Sequence, residues 1–248
     1  MQNSSVKPFD SPFGNTKGIF KKLSYLVFPR YVLRPLPFEL KLTWLRIFSG
    51  KVRRRYRNSK DLLVNLGCGP EGKSGWINVD AIPYPDVNCL FDCRKSLPFQ
   101  DNSVKGIFTE HFFEHLDYHD EVPYFLKECQ RVLQPGGVMR ISVPDGEAYM
   151  RAYCQEGWGD LQKMRYMDDQ FDIGMGFKYN TKMELMNFSF RQWGQHKFTY
   201  DFETLAFILR KYGFSRVQKQ KYGQSILEEF CIDQYGRSSE SLYVEAVK

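Results

Sequence analysis

From Asp61 onward the chain alternates two hydrophobic patterns. Asp61-Leu62-Leu63-Val64-Asn65-Leu66 is a short apolar run closed by Gly67, the pattern of a strand buried on both faces of a parallel sheet. Residues 76–80 and 87–91 predict a second and a third strand, and residues 104–109 a fourth. Over residues 120–133 the period changes. Val122, Phe125, Leu126, Cys129, Val132 and Leu133 recur at helical spacing, with Pro123 in the first turn. Pro135-Gly136-Gly137 stops that helix and residues 138–143 resume strand. Phe202, Leu205, Ile208, Leu209 and Tyr212 repeat the helical period, Gly213 ends it, and residues 214–218 and 242–247 are strand-like. Strands alternating with helices predict a parallel α/β sheet.

Two stretches break this rhythm. Residues 1–20 are polar and punctuated by Gly and Pro, and residues 19–48 interleave bulky apolar residues with Lys and Arg, cut by Pro29, Pro35 and Pro37. Residues 147–195 hold six of the eight methionines together with many aromatics, which predicts either a lid over an acceptor or a small satellite core.

With 42% hydrophobic and 26% charged residues in 248, the chain is neither collagenous nor wholly disordered, and it is long enough to bury a core unaided. The net charge of +6 is unevenly placed. Residues 1–60 carry 14 Lys/Arg against 2 Asp/Glu, and the remainder 21 against 27. The chain therefore divides into a basic, aromatic-rich extension (1–60) and a mildly acidic domain (61–248). The extension reads either as a helical extension with a solvated basic face or, over residues 19–57, as a peripheral contact with an anionic membrane. Six scattered cysteines without a CxxC pair form no zinc ribbon or secreted disulfide framework. No run of about 18 apolar residues predicts a membrane span, and the first residues do not resemble a signal peptide. These features predict a cytoplasmic protein.

The sharpest local signal is Asn65-Leu66-Gly67-Cys68-Gly69-Pro70-Glu71-Gly72. Two glycines directly after a buried strand let backbone approach a ligand at the carboxyl end of the sheet. Asp80 ends the second strand, where a carboxylate can accept from both hydroxyls of a ribose, and Asp92 follows the third. The segment also matches GxGxxG, but no helix opens at its third glycine, and Asp80 comes only 13 residues after Gly67. A nucleoside ligand without a pyrophosphate fits better than a dinucleotide.

These residues, with Leu97-Pro98-Phe99, Asp101-Asn102-Ser103, Glu114-His115-Leu116 and Arg131-Val132-Leu133-Gln134-Pro135-Gly136-Gly137, resemble the class I S-adenosylmethionine-dependent methyltransferases over residues 61–248. The resemblance implies an α/β, Rossmann-like sheet of seven strands, the last antiparallel, with helices on both faces and a shortened first helix. It implies S-adenosyl-L-methionine as cofactor, with Gly67 and Gly69 at the methionine moiety, Asp80 at the ribose and Asp92 at the adenine. Asn65, Cys68 and Glu110 complete the cofactor-binding set. Asn65 stands where the family usually has an acid, and Glu71 where it usually has a third glycine.

Glu110-His111-Phe112-Phe113-Glu114-His115 follows the fourth strand. At helical spacing His111, Glu114 and His115 share a face, and His196 lies just before the last helix. Three readings stay open for His111, Glu114, His115 and His196. One is a catalytic group with a histidine as general base. Another is a divalent metal site, a pattern similar to that of small-RNA 2′-O-methyltransferases and ubiquinone-pathway O-methyltransferases. The third is a structural element. The chain is expected to methylate oxygen on a small-molecule, sugar, glycan or lipid-linked acceptor. An RNA methyltransferase using the basic extension and a non-catalytic cofactor-binding module are the alternatives. The acidic domain argues against a nucleic-acid partner.

Overall fold

The computed structural model describes residues 35–248, apart from 166, 169 and 174 and the side chain of 168. Residues 19–34 of the expected membrane-contact segment, 19–57, lie outside the described residues. The described residues fall into two units, the first ending at Phe48 and the second running from Ser49 to Lys248. The described part of the first is helix α1 (Leu36–Ile47), with prolines at its start and Trp44 stacked on Phe48 at 4.9 Å. Leu36, Leu40, Trp44, Ile47 and Phe48 are 49–68% exposed.

The second unit opens with α2 (Gly50–Arg55), where Arg53 donates to Leu97 O at 3.1 Å and Ser96 Oγ at 2.8 Å. Strands β1 (Leu62–Leu66), β2 (Ile77–Asp80), β3 (Cys89–Leu90) and β4 (Val104–Glu110) follow with no helix between them. Helix α3 (Val122–Val132) leads into β5 (Leu133–Pro144). The insertion contains α4 (Gly146–Tyr153), α5 (Gly159–Met164), the short strands β6 (Met167–Asp168), β7 (Phe171–Asp172) and β8 (Phe177–Lys178), and α6 (Lys182–Arg191). Helix α7 (Phe202–Lys211), β9 (Arg216–Gln220) and β10 (Ser241–Val247) close the chain.

The seven long-sheet strands lie in the order β3-β2-β1-β4-β5-β10-β9, with β1 to β5 parallel and β10 antiparallel to both neighbours. Alternation along β4 and β5 sorts the side chains. Ile107, Met139, Ile141 and Val143 join α3 and α7 in the main core, whereas Phe108 and Val138 face the other way. That second face is covered by residues 221–240, which carry only short 3-10 turns. Phe230 packs on Phe108 and Trp76 at 5.8 and 5.5 Å and fills the space beside Gly106, whose added Cβ would meet its ring at 2.5 Å. Beside it, fully buried Arg140 donates to Asp233 at 2.8 Å and to Glu245 at 2.9 Å.

Three local expectations shift. Strand β5 begins at Leu133, ahead of Val138, because Leu133 is already extended and Gly136, at φ +78°, carries the chain through a register irregularity paired to Lys248. Phe214 lies in no strand. Gly213, at φ +90°, turns the end of α7 so that Phe214 N donates to Leu209 O and its ring enters the core. His111, Glu114 and His115 share no α-helical face: only Phe113–His115 form a 3-10 turn, and His111 precedes it at φ +50°.

Candidate active site

The carboxyl ends of β1 and β2 form a cradle. Gly67 and Gly69 have φ of +67° and +52°, a region L residues rarely adopt. Gly69 faces open space, since nothing lies within 4 Å of where its Cβ would stand. Asp80 braces this turn by accepting from Gly69 N at 2.9 Å and Ile82 N at 2.7 Å. Asn65, expected beside the cofactor, donates its amide to Glu71 O at 3.2 Å and holds the loop. Burial, followed by the Asp80 charge, pushes the Cys68 thiol up to about 12, so it stays neutral. Asp92 is buried and ion-paired with Arg94, whose Nε is 3.0 Å away and which also reaches Glu121. Glu110 accepts from Gln234 N at 3.0 Å, tying β4 to the segment covering the second face. Burial raises its pKa.

The ring of Phe112 lies against Gly67 and sets the next segment beside this cradle. His111 N donates to Ser142 O of β5, and its left-handed backbone turns the chain back over the strand ends. Lys197 N and Phe198 N both donate to Glu114 O, so a residue remote in sequence, His196, is stitched beside the 3-10 turn. His115 and His196 meet edge to face at 4.9 Å. One ligand-type atom from each of Glu114, His115 and His196 falls within 4.8 Å of the others. His111 approaches the same carboxylate from another side, with Nδ1 at 3.3 Å from Glu114 Oε1 and Nε2 at 2.8 Å from Ser241 Oγ. His119 is not drawn into this cluster; its ring packs against Tyr118.

Glu114 is only 2% exposed. Burial opposes its ionisation, but the contact with His111 and the surrounding imidazoles outweigh it and hold the carboxyl at about 2. Burial pushes the pKa of His196 down, against the pull of Glu114.

These groups line a cavity of about 80 Å³ closed by Pro144, Arg165, Met175, Phe188, Ser189, Gln192, Arg237 and Glu240. The insertion forms the satellite core expected as one alternative, an apolar cluster around Tyr149, Leu161, Leu185 and Met186, and also contributes to the wall of this cavity. Arg165, Arg237 and Glu240 escaped the sequence reading, because an isolated charge in a loop has no signature. In the fold Glu240 accepts from Tyr149 Oη at 2.7 Å, Arg165 at 2.6 Å and Arg237 at 2.8 Å.

Residues 80–141 match the family described as "Methyltransferase domain". Among solved structures, a SAM-dependent methyltransferase from Archaeoglobus fulgidus is 17% identical, with 88% of this chain and 100% of that chain covered and a TM-score of 0.45. A second, from Aquifex aeolicus, is 16% identical over 93% and 99% of the two chains, with a TM-score of 0.41. The 1,6-didemethyltoxoflavin-N1-methyltransferase of Burkholderia thailandensis, solved with 1,6-didemethyltoxoflavin and S-adenosylhomocysteine, is 13% identical over 97% and 93%, with a TM-score of 0.45. No curated protein matches the sequence. Residues 80–141 therefore carry a methyltransferase-domain match, set in a seven-stranded sheet with a glycine turn at the end of β1.

Proposed function

We propose that the protein is a class I S-adenosylmethionine-dependent methyltransferase that transfers the cofactor's methyl group to a hydroxyl of a small polar acceptor: a sugar, a glycan precursor or the headgroup of a lipid-linked intermediate. The observation that carries this reading is the convergence of His111, Glu114, His115 and His196 on a small polar cavity next to the glycine cradle. Its volume of about 80 Å³ admits one arm of a small molecule, since a water occupies roughly 30 Å³.

The residues at the strand ends fit the cofactor. Gly67 and Gly69 offer close backbone approach and open space, and Asp80 and Asp92 supply carboxylates at the ends of neighbouring strands. Bound there, S-adenosylmethionine supplies an electrophilic methyl group. The chain's own residues align the acceptor and receive its proton. With Nδ1 held toward the Glu114 carboxylate, His111 presents Nε2 as proton acceptor, the side now facing the Ser241 hydroxyl. Arg165, Arg237 and Glu240 offer donors and an acceptor for the remaining acceptor hydroxyls, and Met175 and Phe188 help exclude water.

The exposed apolar face of α1, beside Lys41, Arg46 and the basic residues of α2 in sequence, supports a peripheral position on an anionic membrane. A lipid-linked acceptor would be met there.

Calorimetry with S-adenosylhomocysteine, followed by assay of methyl transfer to nucleotide sugars, free glycans and lipid-linked sugars, tests the reading. Binding with turnover on a hydroxyl acceptor is expected. Turnover confined to nitrogen acceptors or RNA overturns the acceptor assignment.

A further inference from the structure

We propose that Glu114, His115 and His196 form a binding site for one divalent transition-metal ion. The donor chemistry of the cluster leads to this. Ser189 O accepts from Nδ1 of His196 at 2.7 Å, and Gln195 O faces Nδ1 of His115 at 3.2 Å. A carbonyl oxygen only accepts, so in both imidazoles Nδ1 carries the hydrogen and Nε2 keeps its lone pair. Nε2 of His196 points at Glu114 Oε1 from 3.9 Å. At His196 a lone pair therefore meets a carboxylate oxygen, with no hydrogen between them.

Glu114 itself is 2% exposed, and neither of its oxygens accepts a well-formed hydrogen bond among the described residues. A buried carboxylate clustered with two imidazoles whose Nδ1 hydrogens are already used is an arrangement of acceptors that a cation satisfies. The backbone carbonyls act as an outer shell, fixing the tautomer and ring orientation of each ligand histidine. Ser189 lies in the last turn of α6, so the insertion itself holds one ligand in place.

The three ligand atoms lie within 4.8 Å of one another. A tetrahedral site with bonds of about 2.1 Å needs separations of about 3.4 Å, so the three side chains would draw together by at most about 1.4 Å on binding. Two nitrogens and one oxygen suit Zn²⁺, Fe²⁺ or Mn²⁺ over the all-oxygen shells of Mg²⁺ and Ca²⁺. The open positions face the cavity lined by Arg165, Gln192 and Glu240. Resting on the proposed function, an acceptor hydroxyl entering there would be oriented and made more acidic by the ion.

The test uses the untagged full chain, stripped with chelator and titrated with Zn²⁺ by calorimetry and with Co²⁺ by visible absorption. One ion per chain, with nitrogen-ligand d–d bands for Co²⁺, is expected. His115→Ala and His196→Ala each should weaken binding at least a hundredfold. S-adenosylhomocysteine binding, measured on the same samples, reports whether each variant is folded. Should a variant not fold, the melting temperature of the wild-type chain with and without Zn²⁺ decides: a rise supports the site, and no rise overturns it. Wild-type chain that binds neither ion more tightly than about 100 μM, or binding unchanged in the folded variants, also overturns it. A chain that binds S-adenosylhomocysteine but no ion refutes the metal site alone. One that binds the ion but not S-adenosylhomocysteine refutes the methyl-transfer reading alone.

Discussion

The ring of Phe112 occupies the space that a side chain at Gly67 would need: a Cβ there would stand 2.1 Å from Phe112 Cδ2. The glycine turn after β1 and the histidine-rich segment after β4 are therefore in van der Waals contact. One aromatic ring sets the spacing between the glycine turn and the histidine-lined cavity.

Gly67→Ala should be harmful on two counts. A left-handed backbone at φ +67° costs an L residue about 1–2 kcal/mol, and the new methyl group collides with Phe112. A lower melting temperature and at least a tenfold weaker affinity for S-adenosylhomocysteine are expected by differential scanning fluorimetry and calorimetry. Adding Phe112→Ala should relieve the clash but not the backbone strain, so the double variant recovers only part of the stability.

His111→Asn should separate chemistry from cofactor binding. The amide cannot take a proton, and loss of a general base typically lowers turnover by about 10²–10⁴-fold. The affinity for S-adenosylhomocysteine should stay within about twofold, because His111 faces Glu114 and Ser241 rather than the glycine turn. Unchanged kcat on a hydroxyl acceptor would remove His111 from the reaction.

Glu240 gives the fold an acid-sensitive link. Burial opposes its ionisation, but Arg165, His111 and Arg237 override it and hold the carboxyl at about 2, against an ordinary value of 4.5. A depressed folded-state pKa stabilises the protein above the unfolded value, and that share is lost as pH falls from about 4.5 toward about 2. Glu240→Gln, which leaves Arg165 and Arg237 short of a buried partner, should cost about 3 kcal/mol at neutral pH. The gap between wild type and variant should narrow through that acidic window in urea titrations.

Helix α1 should carry membrane affinity. Leu40→Glu with Trp44→Glu places charge in the middle of its exposed apolar face. Co-sedimentation with vesicles rich in anionic phospholipid should fall several-fold, while S-adenosylhomocysteine binding stays unchanged. Raising the salt should weaken the wild-type interaction, because a Debye length of about 10 Å at 0.1 M shortens further. Equal sedimentation of variant and wild type would exclude this face.

Much of the sheet was legible because a buried parallel strand has a compact signature. Val64, Leu66 and Ile107 sit in runs of apolar residues, and Val122, Phe125, Leu126, Cys129 and Val132 keep helical period, so β1, β4 and α3 emerge within a residue or two. Gly136 and Gly213 misled at the edges, since a glycine marks a turn without saying whether the chain continues as strand or as a capped helix end. The covering of the second face was not legible. Phe230, Asp233 and Arg140 give no periodic signal, and only the fold brings Arg140 of β5 to Asp233 in the covering segment.

The order of residues by itself determined the class of the fold, the glycine turn and the identity of the chemical groups, because each depends on neighbours within a few positions. Tertiary structure alone decided which of those groups meet. His196 reaches Glu114 through backbone hydrogen bonds between distant segments, Glu240 joins Arg165 across the insertion, and Asn65 turns to its own loop. Such meetings depend on how packed segments exclude water and satisfy buried polar groups. Those energies belong to the assembled molecule and not to any stretch of the chain.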